Sequence, residues 1–263
     1  MAEPINRDKC RILISNDDGI RSPGIQVLEK IARELSDDVW VVAPEQEQSG
    51  ASHSLTTRRP LRLTEVAPRR YWVDGTPTDC VLLAVKRLLR DKPPDLVLSG
   101  INGGSNVGED LTYSGTVAAA MEATLLGIPA IALSQDYREG EEVPWQTGEA
   151  YGPEVIRRLL HLPWPEHTLF NINFPGVAAE EVGGYAVTNQ GKRAIADNLT
   201  EGIDPRGRPY DWIGPIREAG SAEPGSAEPG SAEPGRAEPG RADQAARTGR
   251  PSARPARNAA PAG

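Results

Sequence analysis

Cysteine is nearly missing from this 263-residue chain, which holds only Cys10 and Cys80. That excludes a disulfide scaffold and points to a reducing compartment. Long apolar runs are missing too. The most hydrophobic stretch, Val117 to Leu133, is broken by Glu122, Gly127 and Pro129, and falls short of the roughly 20 residues that span a bilayer. The N-terminal MAEPINRDKC carries no hydrophobic signal-peptide core, so the expectation is a cytoplasmic protein with no membrane partner. Positive charge is in deficit, with a formal net charge of −8. A broad phosphate-binding surface, and with it polymeric nucleic acid as a partner, is thereby disfavoured. The length suits one large α/β domain or two small ones.

The last 44 residues lack every large apolar side chain: Leu, Ile, Val, Met, Phe, Tyr and Trp all stop before Gly220. A Ser-Ala-Glu-Pro-Gly repeat starting at Ser221 decays into an Ala/Arg/Pro tail with six Arg and five acidic residues. With nothing larger than Ala to bury, such a segment cannot offset its ordering entropy. A solenoid would need a large apolar residue in each repeat. The expected organisation is a folded domain over 1–219 and a disordered tail over 220–263. An inert solvated tail is the simplest reading, and an Arg-bearing interaction arm the alternative.

Before the tail, strand and helix signals alternate. Arg11 to Ser15 (RILIS) reads as a buried strand, and Ser22-Pro23 as the N-cap and first residue of a helix with Ile25, Leu28, Ile31 and Leu35 on one face. Val39 to Ala43 is a second strand, and Thr76-Pro77 opens a helix carrying Val81, Val85 and Leu88. Leu96 to Ser99 is a strand, Ser114 to Leu125 an Ala-rich helix, Ala130 to Ser134 a strand, Glu154 to Leu160 a helix and Leu169 to Phe174 a strand. This order predicts an α/β, Rossmann-like three-layer fold with a mostly parallel sheet.

Such sheets bind ligands beyond the carboxyl ends of their strands. Three polar, Gly-bearing loops fall there: Asn16-Asp17-Asp18-Gly19, Ala43 to Gly50, and Gly100 to Asn106. Asp17-Asp18 alone reads as a polar turn or cap pair. Joined to the Ser49 hydroxyl and the amide oxygens of Asn102 and Asn106, the pair becomes an oxygen-only ligand set. No His or Cys lies in the Asp-Asp or Asn loops, so the set favours Mg²⁺ or Mn²⁺ over Zn²⁺. Ser114-Gly115-Thr116 opens the Ala-rich helix. Its free N–H groups suit a phosphate, while an ordinary N-cap is the plain alternative.

The Gly100 to Gly108 stretch is neither a P-loop nor a dinucleotide fingerprint. Cys80 reads as core, Cys10 has no motif around it, and His161 and His167 share no ligand spacing. His53 lies four residues past Ser49 and stands near enough to touch a substrate, although loop histidines usually do not.

The segments ISNDDGI, APEQEQSGASHSLT, GTPTDCV, SGINGGSNVGED and YSGTVAAAMEA, with the later NQGKR and DPRGRPYDWIGP, closely resemble the SurE family of survival-protein nucleotidases in order and spacing, from about Arg11 to about Pro215. The resemblance implies a metal-dependent phosphomonoesterase acting on nucleoside 5′- and 3′-monophosphates, with one divalent ion per subunit held by Asp17, Asp18, Ser49 and Asn102. It also implies a dimer or tetramer. After Ile216 the chain departs from the family, whose further strand and last helix help build the oligomer. A frameshift or truncation would explain the SAEPG repeats in their place, and Trp212, Ile213 and Ile216 would lose packing partners.

On this reading a metal-activated water attacks the phosphate, Asp17 or Asp18 serves as general base, and Asn106, Ser114, Gly115 and Thr116 hold the phosphate. Two alternatives stand beside it. An Asp could be the nucleophile, though adjacent Asp-Asp without a Lys in these loops counts against that. Or the chain is a non-catalytic relative that keeps metal or nucleotide binding.

Overall fold

The computed structural model describes residues 10–138, 140–192 and 199–213. Seven strands form one sheet in the order β3-β4-β2-β1-β5-β6-β7. In chain order the elements are β1 (Arg11–Ser15), α1 (Pro23–Arg33), β2 (Asp38–Pro44), β3 (Leu63–Ala67), β4 (Arg70–Val73), α2 (Pro77–Leu83), β5 (Leu96–Gly103), α3 (Asp110–Tyr113), α4 (Gly115–Leu125), β6 (Ala130–Gln135), α5 (Trp145–Leu160) and β7 (Leu169–Phe174). All strand pairs are parallel except β3 with β4. A separate antiparallel pair, β8 (Leu199–Ile203) and β9 (Pro209–Ile213), follows. The expected α/β layering is therefore present.

Side chains of a strand alternate between faces, and here the alternation divides the apolar residues between two cores. Ile12 and Ile14 of β1, Leu96 and Leu98 of β5, and Ile131 and Leu133 of β6 meet α1 and α5 on one face. Leu13, Val97, Ala130 and Ala132 point the other way, to Val81 of α2 and Ala119, Ala120 and Ala123 of α4. Burying both faces is what stabilises an all-apolar parallel strand. Cys10 and Cys80 are free thiols within these cores, and burial raises both, Cys10 to about 12.

Local signals set the helix starts. Ser22 caps α1 by accepting from the Ile25 N–H, with Pro23 behind it. Thr76 and Asp79 form a reciprocal capping box on α2, which continues as a π-helical turn over Ala84–Leu88. At Gly24 a Cβ would stand 1.9 Å from the Ile101 carbonyl oxygen, so α1 packs directly on the β5 backbone through a missing side chain.

Three elements differ from expectation. The β3–β4 hairpin has no counterpart in the sequence reading; its turn places Arg69 at a φ of 62°. Helix α5 starts at Trp145 rather than Glu154 and runs through Gly148, Gly152 and Pro153, residues that locally break helices. Packing overrides propensity: a Cβ at Gly152 would lie 2.7 Å from Ile31 of α1. Strand β5 runs four residues further, to Gly103, past a register shift between Ser99 and Asn102. Asn102 is thus a strand residue paired with Ser134, not a loop residue.

Trp212 and Ile213 on β9 are exposed. Ile216 and the whole 220–263 segment expected to be disordered lie outside the described residues. Among the described residues, no helix is long and apolar enough to cross a membrane.

The strand order places the functional edge. From β1 the chain passes to β2 on one side and later returns as β5 on the other. Loops leaving the ends of β1 and β5 therefore diverge, and the crevice between them is where open α/β sheets bind ligands.

Candidate active site

Asp17 and Asp18 leave the end of β1 at this crevice. Asp17 is 4% exposed, and the start of α4 holds its carboxylate: the Thr116 hydroxyl donates to Oδ1 at 2.5 Å, and the Gly115 and Thr116 N–H groups add backbone donors. Burial pushes its pKa up, with these donors opposing. Gly115 is required by closeness. A Cβ there would stand 2.6 Å from the Asp17 Cβ and 3.0 Å from its Oδ2. The helix-start donors expected to meet a phosphate thus face Asp17 first, and Ser114 is an N-cap accepting from the Val117 N–H at 3.1 Å.

Asp18 is less buried. Its pKa rises to about 7 through burial first, then the neighbouring charges of Asp17 and Glu47, while the Gly103 N–H at the end of β5 opposes. Two carboxylates and a third acidic group so close favour a cation among them.

The second loop is stitched to the first: the Gln48 N–H donates to the Asp17 carbonyl at 2.8 Å, and the Ile20 N–H to the Pro44 carbonyl at 2.9 Å. Ser49 follows directly, exposed, its hydroxyl donating to Glu47 Oε1 at 3.0 Å. Asn102 donates its amide N–H to the Gly104 carbonyl at 2.8 Å, which turns its amide oxygen the other way. Three strand ends thus bring Asp17, Asp18, the Ser49 loop and Asn102 to one crevice. This donor chemistry fits an oxygen-liganded divalent ion. Among the described residues no three His, Cys, Asp or Glu side chains cluster as a metal site, and a set of two carboxylates, a hydroxyl and an amide is of another composition.

Asn106 sits deeper than expected, 6% exposed. Its N–H donates to Asn173 Oδ1 at 2.8 Å, its carbonyl accepts from Asn171 and Asn173, and its Nδ2 donates to Ser134. The sequence reading missed Asn171, Asn173 and Ser134. A signal was available: two Asn at alternate positions of the apolar strand LFNINF share one face. Glu47 and Gly103 were missed too, since neither carries a motif of its own.

His53 turns to α4. Its Nε2 lies 2.9 Å from Glu122 Oε2 on α4, and Ser52 beside it bonds the Tyr113 and Thr112 carbonyls. His53 therefore fastens the second loop along α4.

The family model described as "Survival protein SurE" matches residues 12–197. This chain belongs to the SurE family. A SurE relative from Paramagnetospirillum magneticum named 5′-nucleotidase is 63% identical over 214 residues, covering 81% of this chain and 82% of that one. One from Rhodopseudomonas palustris with the same name is 56% identical over 207 residues, covering 78% and 81%. The crystal structure of the SurE protein from Aquifex aeolicus superposes with a TM-score of 0.70 at 44% identity, covering 81% of this chain and 85% of that one. The SurE match spans all three loops that build the crevice.

Proposed function

We propose that this SurE-family chain is a divalent-metal-dependent phosphomonoesterase that hydrolyses nucleoside 5′- and 3′-monophosphates to nucleoside and phosphate. One observation carries the reading. Two carboxylates stand at the crevice between β1 and β5, one held by the first turn of α4 and the other left with a single backbone donor. The names of the relatives support the substrate class.

Asp17, Asp18, Ser49 and Asn102 would hold one Mg²⁺ or Mn²⁺. When bound, such an ion supplies positive charge for a phosphoryl oxygen and lowers the pKa of water. The chain's own groups do the rest. Asp17, fixed by Thr116 and Gly115, gives the site a rigid anchor. Asp18 carries fewer donors and is the carboxylate that accepts the proton of the attacking water. The α4 dipole and its first-turn donors stabilise negative charge at the crevice. Asn106, pinned by Ser134, Asn171 and Asn173, holds the glycine-rich loop that closes the phosphate end.

Phosphate release from 5′-AMP and 3′-AMP, measured with Mg²⁺, with Mn²⁺ and with EDTA, tests this. Both substrates are turned over, and EDTA stops the reaction. Release that persists in EDTA would contradict the metal assignment, and no release from a folded sample would contradict the enzyme.

A further inference from the structure

The turn that follows Asn102 doubles back on the sheet it leaves. Asn102 on β5 is the register partner of Ser134 on β6, and Ser134 is that of Asn173 on β7. Strand β6 holds the start of the turn, where the Gly104 N–H donates to the Gln135 carbonyl at 2.9 Å. At its end the Asn106 Nδ2 donates to the Ser134 hydroxyl at 2.8 Å, so the chain has returned to β6 beside its point of departure. Strand β7 then fastens that end. Asn173 grips both sides of the Asn106 backbone: its Oδ1 accepts from the N–H at 2.8 Å and its Nδ2 donates to the carbonyl at 3.1 Å. Asn171, on the same face of β7, donates to that carbonyl again at 2.9 Å.

We propose that Asn171 and Asn173 are positioning residues for Asn102, fixing the turn that orients its amide oxygen; this rests on the metal-dependent reading above. Two features carry the inference. Asn102 is oriented by its own turn, because its amide N–H donates to the Gly104 carbonyl at 2.8 Å. Gly103 and Gly104 bring no side chains to stiffen that turn, and Gly104 lies at a φ of 118°, so the shape depends on how the two ends are held. The second feature is Asn171 Oδ1, a buried atom without a hydrogen-bond partner. An unpaired buried acceptor costs stability, and a Leu of similar size would carry no such cost. The Asn106 carbonyl already has a partner in Asn173, so the Asn171 N–H is not needed to satisfy it. What a second donor adds is direction, since it stops the Asn106 peptide from swinging about the Asn173 amide. A side chain that costs stability while fixing the turn at Asn102 is placed for function.

The test measures Mn²⁺ binding to the metal-free chain by electron paramagnetic resonance of the free ion, beside thermal melts and AMP hydrolysis across a range of Mn²⁺ concentrations. Asn171→Ala and Asn171→Leu each remove the N–H donor together with the unpartnered oxygen. Groups that orient a metal ligand are worth about 10–100-fold in metal affinity. Asn171 shares its task with Asn173, so each variant raises the Mn²⁺ Kd about tenfold, the lower end of that range. Asn171→Leu melts no lower than wild type, and its kcat recovers at saturating Mn²⁺ because Asn102 itself is intact. Asp38→Asn, destabilised at the opposite end of the sheet, keeps the wild-type Kd. An unchanged Kd in the Asn171 variants overturns the inference, as does an equal rise in Asp38→Asn. An Asn171→Leu chain that melts well below wild type or fails to fold also overturns it, because the amide then serves stability. Mn²⁺ binding weakened in the Asn171 variants, with no AMP hydrolysis by wild type, supports the positioning role and removes the hydrolase reading. No Mn²⁺ binding by a folded wild type overturns both.

Discussion

Replacing Gly115 with Ala adds one methyl group at the point where α4 touches Asp17. That methyl would stand 2.6 Å from the Asp17 Cβ and 3.1 Å from its Cγ, against an ordinary carbon–carbon contact of about 3.5–4.0 Å. Asp17 must therefore retreat by about 1 Å, away from the Thr116 hydroxyl and the first-turn N–H groups that fix it. Forcing an extra methyl into a packed interior costs about 1–3 kcal/mol. Ala recovers up to ~1 kcal/mol of that as a better helix former. With the full ~1 kcal/mol recovered the net loss is about 0–2 kcal/mol, or a Tm lower by no more than roughly 8 °C for a domain of this size. Activity suffers far more, because a displacement of about 1 Å in a catalytic group costs on the order of 100-fold. The assay is kcat/KM for AMP with Mn²⁺ beside a thermal melt. Gly183→Ala, where a Cβ meets nothing within 4 Å, serves as the control. Wild-type turnover in Gly115→Ala would refute the placement of Asp17 in the reaction.

Two further outcomes follow from groups outside the crevice. His53→Ala leaves the Glu122 carboxylate, 2.9 Å from His53 Nε2, without that partner and loosens the second loop. It should cost about 1–3 kcal/mol and raise the Mn²⁺ concentration needed for half-maximal activity. A double-mutant cycle with Glu122→Gln that shows simple additivity would contradict the pairing. At the opposite end of the sheet, partial burial pushes the Asp38 carboxyl up, but hydrogen bonds from Arg11, Trp40 and Lys92 outweigh it and hold it below its ordinary value. Its stabilisation is therefore present above the unfolded value of about 3.9 and is lost as pH falls through the folded one. Asp38→Asn should lower Tm at pH 7 and differ less from wild type at about pH 2; a pH-independent difference would contradict this.

Much of this architecture is legible in the sequence because strong local signals coincide with tertiary demands. RILIS and LFNINF are apolar runs bounded by polar residues, and both are strands at the expected residues. Ser22-Pro23 and Thr76-Pro77 mark helix starts through side-chain capping, which acts locally. Where glycine serves packing, the local signal misleads. Gly148 and Gly152 look like breakers, yet they let α5 approach Ile101 and Ile31. Gly100 and Gly103 look like loop, yet they extend β5. The three polar loops are likewise visible, because a motif at each strand end is a sequence property. Their mutual orientation is not. That Gly115 and Thr116 embrace Asp17, that Asn106 is pinned by β7, and that His53 turns to Glu122 depend on contacts across 99, 67 and 69 residues of chain.

The central claim is that Asp17 and Asp18 at the β1–β5 crevice carry phosphomonoester hydrolysis. The most direct test is phosphate release from 5′-AMP with Mn²⁺ by wild type, Asp17→Asn and Asp18→Asn, each shown by circular dichroism to be folded. The account predicts metal-dependent release by wild type and its loss in both folded variants. Turnover near the wild-type rate in either variant would contradict it.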